Sequence, residues 1–366
     1  MLAVVVFLCS VSSAYSVQCM SSTGKPVDWF IVYKLPELRS NKSNPMLRDG
    51  YGHFYMDVLN PSWQLSKVSM NDTNHAVYNT LQAIYESKPT DDFMYLMYND
   101  DDPHDQESLN HGHTKGVVAF DKKTGYWLVH STPQFPRYKN ESYTWPPSAL
   151  IYGQSFLCVS YSYSQLNSIA KQLFFNYIRL YDHYTPDSFL QNNPDLASVI
   201  KNTRLEKPPW SNKVVLSSLS GTKFTSFAKF ENFHADLYKD FVAPSLQSDL
   251  MTETWQNSGS RMPSNCTGKF KVYNVKSIVL PEGIVFKETK DHSKWAISRN
   301  GTNWICIGDI NRDLSQEKRA GGTVCFQNSK VWTSFNLAVN SIESCQVNVS
   351  RFHGQRVTRF EEYRGL

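Results

Sequence analysis

The sequence has few charged residues and lacks the patterns typical of membrane proteins and zinc enzymes. Asp, Glu, Lys and Arg make up 19% of the 366 residues, and the net charge is only +4 at pH 7. After residue 16, no apolar run reaches the ~20 residues that a membrane-spanning helix needs. Neither Cys-x-x-Cys nor His-Glu-x-x-His occurs. These absences argue against a transmembrane protein and a zinc enzyme, while the mildly basic balance permits a polyanionic ligand without requiring one.

Residues 1–16 have the composition of a secretory signal peptide. The apolar run MLAVVVFLCS is followed by VSSAYS, whose small residues suit cleavage between Ala14 and Ser16. No Lys or Arg precedes the apolar run, and the run is too short to span a bilayer comfortably. We therefore expect a soluble mature chain in the secretory pathway, without a membrane anchor.

The cysteine count agrees with an oxidising compartment. Of seven cysteines, Cys9 lies in the signal segment, and the other six predict three disulfides whose connectivity the spacing leaves open. Asn-x-Ser/Thr sites are also present and predict some glycosylation. These sites are Asn41, Asn71, Asn140, Asn265, Asn300 and Asn348.

Length predicts two domains, or one large fused unit, for the mature chain of about 350 residues. Residues 185–212 are rich in proline and are interpreted as a connection between an N-terminal half, 17–184, and a C-terminal half, 213–366. Lys and Arg are clustered in the last hundred residues. This cluster is either an ordinary solvated surface or a face that binds the phosphates of a polyanionic ligand.

One motif occurs twice. Residues 113–131 read HTKGVVAFDKKTGYWLVHS, and residues 292–310 read HSKWAISRNGTNWICIGDI. Each copy begins His-x-Lys, continues through an apolar run, a turn and a second apolar run with a Trp, and ends on polar residues. His130 and Asp309 occupy matching positions at these ends. Each copy predicts a β-hairpin.

The two His-x-Lys pairs point to phosphate chemistry. Residues at i and i+2 of a strand face the same side, so His113 lies beside Lys115 and His292 beside Lys294. Lysine supplies positive charge to phosphate oxygens, and histidine can attack phosphorus or carry a proton. A single His-x-Lys is most often chance, but two copies in matched contexts favour a site that holds one phosphodiester between both pairs.

Other patterns predict a mixed α/β chain. Residues 27–35 are nearly continuous in apolar residues, as in a central strand, and residues 91–100 predict another strand. Helical spacing is found in residues 75–87 and 164–183. The acidic stretch 99–113, NDDDPHDQESLNHGH, could hold a metal, but it has no EF-hand register and is interpreted as a solvated loop.

Several strings resemble the deoxyribonuclease II family of lysosomal acid endonucleases along nearly the whole mature chain. They are PVDWFIVYKLP, GHTKGV, WLVHSTPQFP, YGQSFLCVS, SFAKF, MPSNC, DHSKW, CIGDINR and GGTVC. The resemblance implies a phospholipase D-like α/β fold. Two similar halves, each with a central mixed β-sheet flanked by helices, would form a pseudo-dimer around one cleft. It also implies the disulfides Cys19–Cys158, Cys266–Cys345 and Cys306–Cys325.

The resemblance further implies hydrolysis of DNA at acidic pH without a cofactor or metal, leaving 3′-phosphate and 5′-hydroxyl ends. One of His113 and His292 would attack phosphorus and the other would donate a proton, with His113 favoured as the nucleophile. Lys115 and Lys294 would hold the phosphate oxygens. Supporting roles are expected for His130, Asp309 and Asn311. The spacing of the motifs identifies no acidic partner for either histidine.

Two alternatives follow from the same residues. Two His-Lys pairs do not specify DNA, so a phospholipase or another phosphodiesterase of this architecture is one alternative. A non-catalytic secreted binding protein with a decayed site is the other, and the intact His and Lys of both motifs argue against it. The leading expectation is a monomeric or homodimeric enzyme that degrades DNA in lysosomes, in apoptotic cells or after secretion.

Overall fold

Two large β-sheets form the framework of the protein. The computed structural model describes residues 17–104 and 106–345. The expected signal peptide, residues 1–16, and the predicted glycosylation site Asn348 lie outside the described residues. The mixed α/β architecture predicted from the sequence is confirmed, with both sheets flanked by helices.

The first sheet has the strand order β3-β2-β1-β7-β6-β5-β4-β8. Its strands are β1 (Trp29–Lys34), β2 (His53–Asp57), β3 (Gln64–Leu65), β4 (Phe93–Asn99), β5 (Lys115–Asp121), β6 (Thr124–His130), β7 (Gln154–Ser162) and β8 (Leu180–Tyr184). The predicted strand over residues 27–35 is confirmed as β1, which is buried along its whole length between β2 and β7. The strand predicted over 91–100 is confirmed as β4.

The second sheet has the order β13-β12-β11-β14-β15-β16-β10-β9, with β17 beside β12. Its strands are β9 (Ser211–Ser217), β10 (Lys223–Lys229), β11 (Leu250–Glu253), β12 (Val272–Leu280), β13 (Ile284–Lys287), β14 (Trp295–Ser298), β15 (Trp304–Gly308), β16 (Gly321–Gln327) and β17 (Val339–Ile342). Both predicted hairpins are confirmed, β5–β6 in the first sheet and β14–β15 in the second.

Short helices connect and cover the sheets. They are α1 (Pro45–Arg48), α2 (Ala76–Tyr85), α3 (Leu166–Phe175), α4 (Asp187–Asn192), α5 (Pro194–Ile200), α6 (Ala243–Leu246) and α7 (Ser329–Ala338), with a π-helical turn at Leu237–Val242 before α6. The helix predicted over 75–87 is confirmed as α2, and His75 caps its N-terminus. Helices α4 and α5 lie in the stretch interpreted as a connection.

The two sheets share a five-strand pattern. Strands β1, β4, β5, β6 and β7 lie side by side as β1-β7-β6-β5-β4, and β2 and β3 come between β1 and β4 in the chain. Strands β10, β11, β14, β15 and β16 lie side by side as β10-β16-β15-β14-β11, and β12 and β13 come between β11 and β14 in the chain. All neighbours within these two sets pair antiparallel. This correspondence is consistent with two similar halves. The mixed sheet expected in each half is found in the second sheet, where β11 and β12 pair parallel, whereas the described strands of the first sheet pair only antiparallel.

One shared core lies between the two sheets, as strand alternation requires. Trp29, Ile31 and Tyr33 of β1 point into it and meet residues of the second sheet, such as Phe326, whose ring centre is 5.3 Å from that of Trp29. The intervening residues of β1, Phe30 and Val32, face a separate cluster covered by α2. The halves are therefore packed together through a large apolar interface.

The helix predicted over residues 164–183 is wrong beyond Phe175. Helix α3 ends at Phe175 with Asn176 as its C-cap, and Tyr177 adopts a left-handed backbone with φ of 43°. The chain then forms β8, which pairs with β4 at the edge of the first sheet. The hydroxyl of Tyr181 donates to the carbonyl of Pro136 at 2.6 Å, so tertiary contacts override the helical spacing.

The disulfides of the structure are Cys19–Cys158, Cys266–Cys345 and Cys306–Cys325, the pairs implied by the family resemblance. Cys306 and Cys325 lie opposite each other on β15 and β16. Among the described residues, no helix combines the length and the apolar character needed to cross a bilayer. Of the predicted glycosylation sites, Asn71, Asn140 and Asn300 are exposed, and Asn41 and Asn265 are half-buried.

Candidate active site

A cavity of about 700 Å³ brings the two His-x-Lys motifs together. His113 and Lys115 line it from the first half, and His292 lines it from the second. Lys294 is fully buried against His292. The remaining lining residues include Asp100, Gln154, Tyr152, Trp255, Asn311 and Arg319. The site residues predicted from the two motifs therefore surround one space large enough for a nucleotide-sized ligand.

Strand pairing places a carboxylate against the first motif. Asn99, the last residue of β4, lies opposite Lys115 on β5, so Asp100 follows directly beside the motif. Asp100 Oδ2 lies 2.8 Å from His113 Nδ1, and Oδ1 accepts a hydrogen bond from Lys115 Nζ. Arg319, from the second half, donates to Oδ2 at 3.0 Å. Asp100 thus links both motif side chains.

These charges set the ionisation of the pair. Burial would raise the pKa of Asp100, but Lys115, His113 and Arg319 together hold it well below its usual value. Burial lowers the pKa of His113 to about 3, and the charge of Lys115 adds to this effect, while Asp100 opposes it. The free site therefore contains an ionised Asp100 beside a neutral imidazole.

The second motif is held by the backbone of the first half. The His292 amide donates to the Gly153 carbonyl at 2.9 Å, and the Lys294 amide donates to Ser155 Oγ at 3.1 Å. A Cβ on Gly153 would lie 2.3 Å from Asp291 Oδ1, so only glycine allows this approach. The two halves are therefore joined at the site itself.

Lys294 is the closest charged partner of His292. Its Nζ lies 2.6 Å from the His292 carbonyl oxygen and 3.3 Å from Nδ1. Burial lowers the pKa of Lys294 to about 7, and the nearby charge of Lys115 contributes. Burial also lowers the pKa of His292 well below its usual value, again with contributions from Lys294 and Lys115. Positive charge is concentrated where an anion would enter.

The hydrogen-bond partners assign opposite tautomers to the two neutral histidines. Asp100 Oδ2 lies 2.8 Å from His113 Nδ1 and Arg319 Nη1 lies 3.3 Å from it, so the closer, anionic contact favours a proton on Nδ1. This leaves a lone pair on Nε2, which is 3.5 Å from the Asn311 amide nitrogen. The ammonium of Lys294 faces Nδ1 of His292, which places the proton of His292 on Nε2. His113 Nε2 is thus available to attack, whereas His292 can donate a proton only after it has become an imidazolium.

Aromatic rings surround His292. Its ring centre is 5.8 Å from that of Tyr152 and 4.7 Å from that of Trp255. Tyr152 lies nearly parallel to the imidazole, with an interplanar angle of 30°, and Trp255 is inclined at 63°. His113 instead has the Asp100 carboxylate 2.8 Å and the Arg319 guanidinium 3.3 Å from its Nδ1, so the two histidines differ in their surroundings.

The expected supporting residues lie at different depths. Asn311 lines the cavity and contacts His113. Asp309 is buried behind it, accepts from the Gly322 amide at 3.1 Å, and has a pKa that burial raises to about 7. His130 is buried, stacks on Phe156, and accepts from the Thr132 amide at 3.2 Å. Burial and Lys115 lower the pKa of His130 to about 3.

The interpretation of residues 99–113 as a solvated loop is wrong for its first acids. Asp100 and Asp102 are both buried. The negative charge of Asp100 is compensated by His113, Lys115 and Arg319, and that of Asp102 by Arg179 at 2.9 Å. Asp100 is the acidic partner that motif spacing could not identify. The sequence feature that could have indicated Asp100 is a continuous apolar strand that is followed by acidic residues, shortly before the His-x-Lys hairpin. In the described part of the chain, no group of three or more His, Cys, Asp and Glu could hold a metal ion.

Comparison with known proteins gives one consistent result. The family model for deoxyribonuclease II matches residues 18–345. The chain is 43% identical to plancitoxin-1 of Acanthaster planci over 92% of this chain and 94% of that protein. It is 40% identical to deoxyribonuclease-2-alpha of Mus musculus, over 91% of this chain and 94% of the relative. It is 36% identical to deoxyribonuclease-2-beta of Homo sapiens, over 93% of this chain and 94% of that relative. The chain therefore belongs to the deoxyribonuclease II family.

Proposed function

We propose that the protein is an acid endonuclease that hydrolyses DNA phosphodiesters without a metal ion, leaving 3′-phosphate and 5′-hydroxyl ends. The observation that carries the proposal is the pair of histidines beside two lysines around one cavity, with a carboxylate at Nδ1 of His113 and an ammonium at Nδ1 of His292. Lysines in this position supply the positive charge that a bound metal supplies in other nucleases. The names of the relatives support DNA as the substrate.

In the first step, His113 Nε2 attacks phosphorus. A nitrogen–phosphorus bond forms as the bond from phosphorus to the 5′ oxygen breaks, and protonated His292 gives its proton to that oxygen. Asp100 holds the His113 ring through Nδ1 and stabilises the positive charge that develops on it. Lys115 and Lys294 stabilise the non-bridging oxygens as negative charge builds up.

In the second step, water replaces the histidine. His292, now neutral, takes a proton from water, the water oxygen bonds to phosphorus, and the nitrogen–phosphorus bond breaks. The products are a 3′-phosphate and free His113. The same residue therefore serves first as acid and then as base, as microscopic reversibility favours.

Acidic conditions favour the required protonation states. His292 must carry a proton on entering the first step, and the negative phosphodiester raises its pKa by offsetting Lys115 and Lys294. Lys294, with its pKa near 7, is fully charged at acidic pH and loses its charge as pH rises through neutrality. Three disulfides suit an oxidising compartment, and we place the enzyme in the secretory pathway, with lysosomes or the extracellular space as its destination.

The test is plasmid digestion by the purified protein in excess EDTA at about pH 5, where histidine is readily protonated, followed by analysis of the ends. We expect nicks and double-strand breaks that carry 3′-phosphates. Cleavage that requires Mg²⁺ would contradict the mechanism. Cleavage of phospholipid, with none of DNA, would instead favour the non-DNA phosphodiesterase.

A further inference from the structure

The cavity is charged at one end and aromatic at the other. Asp100 and Arg319 lie beside His113, whereas Tyr152 and Trp255 lie beside His292. The ring centres of Tyr152 and Trp255 are 4.7 Å apart, at an interplanar angle of 78°. Together these two residues form a right-angled wall of aromatic surface that opens on the cavity.

The placement of Trp255 is fixed by the fold. It follows β11 by two residues, and its amide donates to Asn311 Oδ1 at 3.3 Å. Both wall residues are half-buried, whereas Trp295, a core residue of the same sheet, is completely buried. Part of each wall ring is therefore available to a ligand in the cavity. A flat aromatic ligand would find stacking surface there.

We propose that Tyr152 and Trp255 form a stacking subsite for the nucleoside that leaves with the 5′-hydroxyl. This inference rests on the proposed function, because that function places the leaving oxygen beside His292. In-line displacement puts the leaving oxygen on the far side of phosphorus from His113, so the departing nucleoside lies at the aromatic end. Stacking uses the ring face that every base has, so the subsite binds DNA without selecting a base.

The subsite would serve catalysis as well as binding. A nucleoside held against Trp255 fixes the leaving oxygen within reach of the His292 proton. Among the described residues that line the cavity, those at the charged end offer no comparable ring to the nucleoside on the 3′-phosphate side. We therefore expect the enzyme to depend on the base at the leaving side much more than on the base at the other side.

The test uses oligonucleotides with one cleavable phosphodiester between methylphosphonate linkages. In one substrate, the nucleoside on the leaving side is replaced by an abasic tetrahydrofuran; in another, the nucleoside on the opposite side is replaced. We expect the leaving-side replacement to lower kcat/KM of the wild type by about tenfold, the order of one base stacked on an aromatic residue. The opposite replacement should have a much smaller effect.

The variant Trp255→Ala should reduce the difference in kcat/KM between the intact and the leaving-side abasic substrates. The double variant Tyr152→Ala/Trp255→Ala should cleave both at the same reduced rate, because both rings of the subsite are gone. Trp255→Phe, which keeps a ring, should restore most of the difference. Leu109→Ala is the matched control, since Leu109 also lines the cavity but carries no ring, and it should discriminate as the wild type does.

Two results would overturn the subsite while leaving the nuclease intact. In one, Trp255→Ala slows both substrates equally and keeps the tenfold difference, which would mean that the ring only supports His292. In the other, the wild type is insensitive to the leaving-side base. Failure of the wild type to cleave any DNA would be a separate outcome, because it would overturn the proposed function together with the subsite.

Discussion

The two halves provide the same strands for their His-x-Lys motifs but different neighbours. Lys115 lies opposite Asn99 on the β4–β5 ladder, and the register of β11 on β14 would place Lys294 opposite Thr254. The next residue is Asp100 in the first half and Trp255 in the second. At equivalent positions, one histidine receives a carboxylate and the other an aromatic ring.

Under the proposed mechanism, this difference explains how two similar strand frames can hold two unlike catalytic groups. A carboxylate on Nδ1 would make His113 a better nucleophile and would stabilise its positive intermediate. His292 has an aromatic ring and an ammonium beside it, and no anion from the described residues that would stabilise its imidazolium form. Once protonated, it therefore gives up the proton easily. The hairpins position the histidines, and the residue after the neighbouring strand determines what each one does.

The largest expected effect comes from removing either histidine. His113→Ala should lower kcat on plasmid DNA by at least about 10⁴-fold, because the nucleophile is lost. His292→Ala should lower it by about 10²- to 10⁴-fold, the range for a general acid. Activity is measured by supercoiled-plasmid nicking at acidic pH. His104→Ala is the control, since His104 pairs with Glu141 on the surface, and it should cleave as the wild type does.

Asp100→Asn should have the next largest effect. The amide keeps the shape of the side chain but loses the charge that orients His113 and compensates Lys115, so kcat should fall by about 10²- to 10⁴-fold. Asp102→Asn is the matched control, because Asp102 binds Arg179 rather than a histidine. It should lower the melting temperature more than the activity. Equal activity losses in the two variants would argue against a specific role for Asp100.

The comparison also predicts a change in pH dependence. Lys294 has a pKa near 7 in the free enzyme, so its charge is complete at acidic pH and is lost as pH rises through that value. Since His292 must also be protonated and has a lower pKa, kcat/KM should begin to fall below neutral pH and should fall more steeply above about pH 7, where Lys294 also loses its charge. Lys294→Arg should remove this steeper part because guanidinium stays charged, and Lys115→Arg should leave it in place. A steeper part that persists in Lys294→Arg would assign it to another group.

The smallest expected effect is on stability. Glu253, which precedes Thr254 on β11, is fully buried, and its carboxylate oxygens have no hydrogen-bond partner among the described residues. Its counterpart Tyr98 on β4 accepts from Trp127 Nε1 at 2.9 Å. Burial, and then the charges of Asp291 and Glu288, raise the pKa of Glu253 well above its usual value.

A carboxyl group with a raised pKa binds its proton more tightly in the folded state. Its contribution to stability is therefore most favourable below the unfolded pKa of about 4.5 and worsens as pH rises. Glu253→Gln carries no charge, so it should raise the melting temperature at pH above 7 and change it little in acid. Thermal unfolding across that range is the measurement. A variant that is destabilised equally at every pH would contradict this explanation.

The sequence was sufficient for the hairpins, because each apolar run is continuous and each turn is polar. It also indicated His113, Lys115, His292 and Lys294, since the His-x-Lys motif occurs twice in matched contexts. The residues that contact these four side chains could not be predicted from the sequence. Asp100 and Trp255 depend on the register of one strand against another, and Arg319 reaches Asp100 from the other half of the chain. Pairing at such sequence distances is set by the tertiary fold.

The same limit explains the error at β8. Residues 164–183 have helical spacing throughout, but the left-handed turn at Tyr177 and the open edge of β4 redirect the chain. Edge pairing of this kind outweighs the small intrinsic preference for helix. Local sequence patterns thus predicted most elements, whereas the long-range contacts that form the cavity could not be predicted from them.

The most direct test of the division of roles is the identity of the phosphorylated histidine. His292→Ala is mixed with the p-nitrophenyl ester of thymidine 3′-phosphate, whose p-nitrophenolate leaves without a proton. We predict a burst of one p-nitrophenolate per enzyme and a thymidine 3′-phosphoryl group that peptide mass spectrometry locates on His113, because the variant cannot activate water. His113→Ala should give neither. A phosphoryl group on His292 in the His113→Ala protein, or none on His113 in His292→Ala, would contradict the assignment.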